Sequence, residues 1–130
     1  MKKLLFALLM LFLVGCEEKY PVYSKFHYQS DHQISCLRIM TSSQWLKERL
    51  NKSLGQYQDK QCPYILKAKL HNITKCNSSF STATQKDFTG YITLEIYEGD
   101  KPFYKVQSDF QNDKEASFER VIARLKTDIF

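Results

Sequence analysis

Glycine is scarce in this chain: four residues in 130, one of them Gly15. That leaves no glycine-rich loop whose backbone amides would cradle a phosphate. Neither a Gly-x-Ser-x-Gly nucleophile elbow nor a His-Glu-x-x-His zinc helix occurs. Cys-x-x-Cys is missing too, and His27, His32 and His71 show no spacing that pairs with the cysteines. Glu95 and Glu98 form a loose carboxylate pair, but they fall at a strand end and turn, where solvated surface is expected. With those chemistries missing, the expectation is a non-enzymatic protein with no catalytic residue, metal or cofactor.

A membrane-spanning run is absent as well. The longest apolar stretch, residues 4–14, makes a helix of about 16 Å, whereas crossing a bilayer takes about 20 residues. What surrounds it is more telling. Lys2 and Lys3 supply a positive start, and Leu13-Val14-Gly15-Cys16 ends the run in the lipobox pattern L-[ASTV]-[GA]-C. The expectation is a bacterial lipoprotein: residues 1–15 a signal peptide, cleavage before Cys16, and acyl chains on the Cys16 sulfur and new amine. Several chains on one residue make a stable anchor, where one chain is marginal. The alternative is a plain secretory leader with a coincidental cysteine. Glu17 follows Cys16, and the aspartate that retains lipoproteins at the inner membrane in enteric-type systems is absent. Outer-membrane sorting, facing the periplasm, is therefore expected.

Charge of one sign is also lacking. Of 19 basic residues, Lys2 and Lys3 leave with the signal, so 17 face 14 acidic ones, a mature charge of +3. That mild, scattered basicity suits anionic envelope molecules and not nucleic acid, which calls for a clustered basic face. Nine Phe, eight Tyr and one Trp suit a β-rich domain with rings to spare for contact surfaces. The 115 residues after the signal suffice for one domain with a modest core.

Along the chain, residues 16–32 are polar and aromatic without periodicity and read as a lipidated tether. Residues 33–130 read as a single domain. Residues 33–40 (QISCLRIM) are strand-like and apolar on both sides, which predicts cover on both faces. Thr41 and Gln44 form a capping box, followed by a helical stripe of Trp45, Leu46, Leu50, Leu54 and Tyr57. From Tyr64 the period becomes two, with Leu66, Ala68 and Leu70 inward and Lys67 and Lys69 outward. His71 and Ile73 change phase, predicting a bulge or twist near Asn72. Residues 77–87 are a polar turn. Ile92, Leu94 and Ile96 point inward on the next strand, Glu98-Gly99-Asp100-Lys101 is a hairpin turn, and Tyr104, Val106, Ser108 and Phe110 follow. Asn112 and Glu115 cap a last helix with Phe118, Val121, Ile122, Leu125 and Ile129 on one stripe.

The expected fold is α+β: a four-stranded mixed sheet, order β-α-β-β-β-α, with two helices on one face. The other face would show Ile65, Lys67, Lys69, Tyr91, Thr93, Tyr97 and Phe103, a basic and aromatic surface that suggests a partner. In an oxidising compartment Cys36, Cys62 and Cys76 allow one disulfide with a thiol left over. Cys36 with Cys62 is the better pair, since both fall near the starts of strands expected to be neighbours. Cys62 and Cys76 flank an extended run and lie too far apart.

A lipobox followed by this element order resembles LptE, the lipoprotein partner of the lipopolysaccharide translocon. The local likeness lies in YILKAKLHNI, FTGYITLEIYEGDKPFY and FERVIARLKTDIF. The helix pattern Trp45-Leu46-x-x-x-Leu50-x-x-x-Leu54 resembles the auxiliary lipoproteins of lipid-transport ABC systems, the PqiC type. The chain departs from both in being short and in its internal cysteines. The first resemblance implies a non-enzymatic accessory within or beneath an outer-membrane β-barrel, aiding its assembly and touching lipopolysaccharide. It also implies contact with lipid A phosphates through basic residues near the loop joining the second and third strands, where this chain offers Lys75 and Lys86. The second implies a lipid-transport ABC component as partner; a structural or surface lipoprotein is the third reading. Metabolic labelling with an acyl-chain probe tests the anchor: label is expected on the wild-type chain and none on Cys16→Ala.

Overall fold

A computed structural model describes residues 20–29, 33–72 and 89–130. Cys16, Lys75, Cys76 and Lys86 lie outside the described residues. The period-two stretch forms β3 (Tyr64–Asn72), in which Leu66 and Ala68 are buried while the alternating Lys67 and Lys69 are exposed. The edge strand β2 (Arg38–Thr41) runs parallel to it. Between them in sequence lie α1 (Gln44–Leu54) and a short 3-10 turn, Gly55–Tyr57, as a parallel pair requires. β4 (Gly90–Glu98) pairs antiparallel with β3 and turns at Gly99 and Asp100 into β5 (Lys101–Phe110). Gly99 has a φ of 62°, a left-handed value that a side chain would resist. α2 (Lys114–Ile129) follows.

Both helices pack on the same face, α1 against β2 and β3 and α2 against β4 and β5. They meet through Trp45 and Phe118, whose ring centroids are 5.9 Å apart, and through an Arg49–Glu115 ion pair. Leu46, Leu50 and Leu54 on α1 and Phe118, Val121 and Leu125 on α2 are buried there, against Leu66, Ile92, Leu94, Ile96 and Val106 of the sheet. Among the described residues the fold is α+β, with one mixed sheet and two helices.

The sheet has five strands, not four. The extra one, β1 (Val22–Phe26), comes from the stretch read as a tether, and the order is β1-β5-β4-β3-β2. β1 pairs with β5 alone, and Tyr23, Lys25 and Phe26 are all exposed. No β1 residue is fully buried, and polar Ser24 interrupts the half-buried side between Val22 and Phe26, so no apolar alternation revealed the strand. Phe26 packs on Phe103 and Tyr104, with ring centroids 5.6 and 4.9 Å away.

Other differences are local. β2 is not covered on both sides: it is the opposite edge strand, and Met40 is 54% exposed because both helices lie on the other face. Ser43, not Thr41, caps α1, accepting from the Leu46 amide at 3.2 Å. Thr41 is still paired with Ala68 in the ladder, so its backbone belongs to the sheet. Asp113, not Asn112, caps α2, accepting from the Ala116 amide at 3.0 Å, where a carboxylate also suits the helix dipole. The β3–β4 register runs unbroken to Asn72 and Gly90; it is the β4–β5 register that shifts, between Ile96 and Tyr97. That bulge inserts Phe103 as an extra residue and buries it beside Tyr104, so Phe103 does not reach the open face. Cys36 and Cys62, the pair favoured from sequence, form a disulfide with Cα atoms 5.8 Å apart, tying the approach to β2 to the approach to β3.

A polar knot holds the β1 edge. The Tyr104 hydroxyl donates to Asp128 at 2.7 Å, and Arg124 Nε lies 3.1 Å from both Asp128 and the Ser24 hydroxyl. Burial first, and then the bond to Asp128, push the Tyr104 phenol far above its ordinary range. Burial alone would raise the Asp128 carboxyl, but Tyr104, Arg124 and Ser24 outweigh it and hold it below the usual value. An unfolded tyrosine ionises near pH 10 while folded Tyr104 stays protonated, so its contribution is intact below about pH 10 and is lost as pH rises beyond it. Tyr104→Phe is expected to cost about 1–2 kcal/mol at pH 7 and to give a shallower loss of stability between pH 9 and 11, read by urea unfolding.

Candidate functional site

Side chains that alternate away from the helices stand on the open face, over which no described element packs. The registers bring Tyr23 and Lys25 of β1 beside Lys105, Gln107 and Asp109 of β5. Next come Tyr91, Thr93, Glu95 and Tyr97 of β4, then Ile65, Lys67, Lys69 and His71 of β3, then Arg38 and Met40 of β2. Lys25, Arg38, Lys67, Lys69 and Lys105 face only Glu95 and Asp109 in carboxylates, an excess of three positive charges. The Arg49–Glu115 and Arg124–Asp128 ion pairs lie elsewhere.

Rings organise this charge. Lys67 Nζ sits 4.4 Å from the centroid of the Tyr97 ring, a cation–π contact. The Tyr97 hydroxyl donates to Glu95 at 2.8 Å, and that bond is the chief reason its phenol is raised. Glu95 is thereby held by the tyrosine, although it is the register partner of both Lys67 and Lys105. Thr93 donates to Gln107 at 3.2 Å, and His71 stacks on Tyr91 with centroids 4.8 Å apart. Between β2 and β4 an open groove of about 510 Å³ is lined by Met40, Thr41, Ser42, Lys67, Lys69 and Tyr97, among others. Ammonium groups, ring faces and an exposed thioether are groups that bind anions and apolar surface.

Glu98, the other carboxylate marked in the sequence, accepts from Tyr28 at 2.7 Å at the hairpin end; chiefly for that reason the Tyr28 phenol is pushed up to about 12. Among the described residues no group of three or more His, Cys, Asp or Glu could hold a metal ion. Of the residues marked from sequence, Lys67, Lys69 and Tyr97 are brought together in the groove. Cys36 and Cys62 are joined just ahead of β2 and β3, while Cys16, Lys75 and Lys86 lie outside the described residues. Sequence reasoning missed Tyr23, Lys25, Arg38, Met40 and Lys105. The one available signal was Met40, an apolar residue on the second side of a strand. No protein-family model, curated protein or solved structure matches the chain.

If the open face serves binding and not folding, Met40→Ser and Lys67→Ala should each shift stability by less than about 0.5 kcal/mol. Leu94→Ala, on the helix side, should cost about 2–5 kcal/mol. Urea unfolding of the three variants checks this contrast.

Proposed function

We propose that this protein is a membrane-anchored bacterial lipoprotein of the outer membrane, facing the periplasm and working without catalysis. Its role is that of an accessory in outer-membrane assembly or lipopolysaccharide transport, as the LptE resemblance implies. The groove beside Met40, Lys67, Lys69 and Tyr97 docks an envelope protein partner, a β-barrel on this reading. The observation that carries the proposal is the uncovered basic and aromatic sheet face on a chain whose Cys16 closes a lipobox. No helix among the described residues is long and apolar enough to cross a membrane; on this reading the attachment is the acyl chains at Cys16.

A second reading rests on the Trp45, Leu46, Leu50 and Leu54 spacing: an auxiliary lipoprotein of a lipid-transport ABC system. Photo-crosslinking from Tyr97 in living cells separates the readings. Recovery of a large β-barrel is the expected result, and an ABC or substrate-binding component would favour the second reading. No crosslinked partner would leave a structural or surface lipoprotein.

Lipopolysaccharide is the accompanying ligand on the first reading. Lys67→Ala with Lys69→Ala, and separately Lys75→Ala with Lys86→Ala, report which cations meet its phosphates. A well-formed charge-assisted contact contributes about 1.5–3 kcal/mol. The pair in contact should weaken binding at low salt while leaving the melting temperature unchanged. Unchanged binding in both folded double variants would remove lipopolysaccharide from the proposal.

A further inference from the structure

Three large apolar side chains are exposed among the described residues: Tyr23 (63%), Met40 (54%) and Phe26 (44%). Met40 belongs to the groove already described. The other two lie on β1, at the opposite edge of the sheet. Lys25 stands directly across from Lys105 on the open face, and like charges paired across strands repel unless an anion lies between them. Tyr23, Ser24, Lys25, Lys105 and Gln107 line a cleft of about 280 Å³ there. On the helix side of the same strand, Arg124 reaches Ser24 with half of its side chain still exposed.

Chain length says what meets this edge. Pro21 is held to the sheet, its carbonyl accepting from the Ser108 hydroxyl at 3.3 Å. Cys16 is five residues earlier, a reach of at most about 18 Å fully extended. α2 alone, with 16 residues, is about 24 Å long, so an anchor at Cys16 keeps β1 within one domain diameter of the bilayer. Four strand spacings of about 4.8 Å put β2 roughly 19 Å further along the sheet. Exposed rings flanked by lysine and arginine are the combination that settles at a lipid headgroup layer.

The geometry points to the β1 edge as a membrane-contact surface: Tyr23 and Phe26 enter the headgroup layer, and Lys25 and Lys105 bind the phosphate of an anionic phospholipid. This rests on the lipoprotein reading of Cys16. The domain then stands with β1 on the bilayer and turns the Met40 groove away from it, towards a partner.

The test uses the full-length lipidated chain with a photoreactive phenylalanine analogue at Tyr23 or, as a control that is also more than half exposed, at Met40. In vesicles of phosphatidylglycerol and phosphatidylethanolamine, lipid adducts are expected at position 23 at least about tenfold above position 40. Replacing the anionic lipid by phosphatidylcholine, raising salt, or combining Lys25→Glu with Lys105→Glu should lower the position-23 yield about tenfold. Equal yields at 23 and 40, or a yield indifferent to lipid charge, would overturn the proposal. So would protein adducts in place of lipid at position 23 in cells. Acyl labelling of Cys16 is read separately. Labelled Cys16 with equal yields sinks the orientation alone, whereas unlabelled Cys16 without lipid adducts sinks both. Unlabelled Cys16 with charge-dependent adducts at 23 upholds the surface without its anchor.

Discussion

Leu46, Leu50 and Leu54 of α1 and Phe118, Val121 and Leu125 of α2 all bury against one side of the sheet, and Trp45 meeting Phe118 closes them into one layer. Everything else follows from that one-sidedness. A fully buried aliphatic side chain contributes about 1.5–3 kcal/mol, so the shared layer is where the stability of so small a domain resides. Arg49 and Lys114 lie 4.3 and 4.6 Å from the Trp45 ring and cover its outer side with cations from both helices. No helix among the described residues covers the other side, so the sheet keeps an open face there.

The two edges of that sheet differ for physical reasons. β2 is held by its parallel ladder, by α1 and by the Cys36–Cys62 disulfide, which limits the unfolded chain across a separation of 26 residues. β1 has no such staple. Its ladder to β5, the Phe26 rings and the Tyr104–Asp128–Arg124–Ser24 knot are what keep it in place. Gly90 marks how tightly the centre is drawn: a Cβ there would come within 2.4 Å of the His71 carbonyl oxygen and 2.6 Å of the Phe110 ring.

An open face with excess positive charge and two exposed edges, taken with the anchor proposed at Cys16, make an arrangement suited to binding. Binding chemistry is spread over several strands at separations of a strand spacing or more, which suits a surface partner better than a small molecule. The cations lie on both halves of the face, and the exposed rings of β1 and the thioether of β2 mark its two borders. A lipid surface at one border and a protein at the other is the division of labour proposed for these positions.

Much of this was legible in the residues alone. Alternation around Leu66, Ile92 and Val106, and the helical stripes at Leu46 and Phe118, follow from local periodicity, because a half-buried element must repeat with its own geometry. The hairpin at Gly99, the pairing of Cys36 with Cys62 and the placing of Lys67, Lys69 and Tyr97 on one outward face came from the same patterns. β1 was not legible, because its half-buried side carries Ser24 between Val22 and Phe26 and so shows no continuous apolar stripe. Nor was the bulge that takes Phe103 from the outer face into the core, since a one-residue register shift depends on how two distant strands pair. The exposure of Met40 and the crowding of Lys25 against Lys105 likewise arise only once strands far apart in sequence lie side by side. Local periodicity specifies elements and their faces; the neighbours across the sheet, and hence the make-up of the open face, are set by long-range packing.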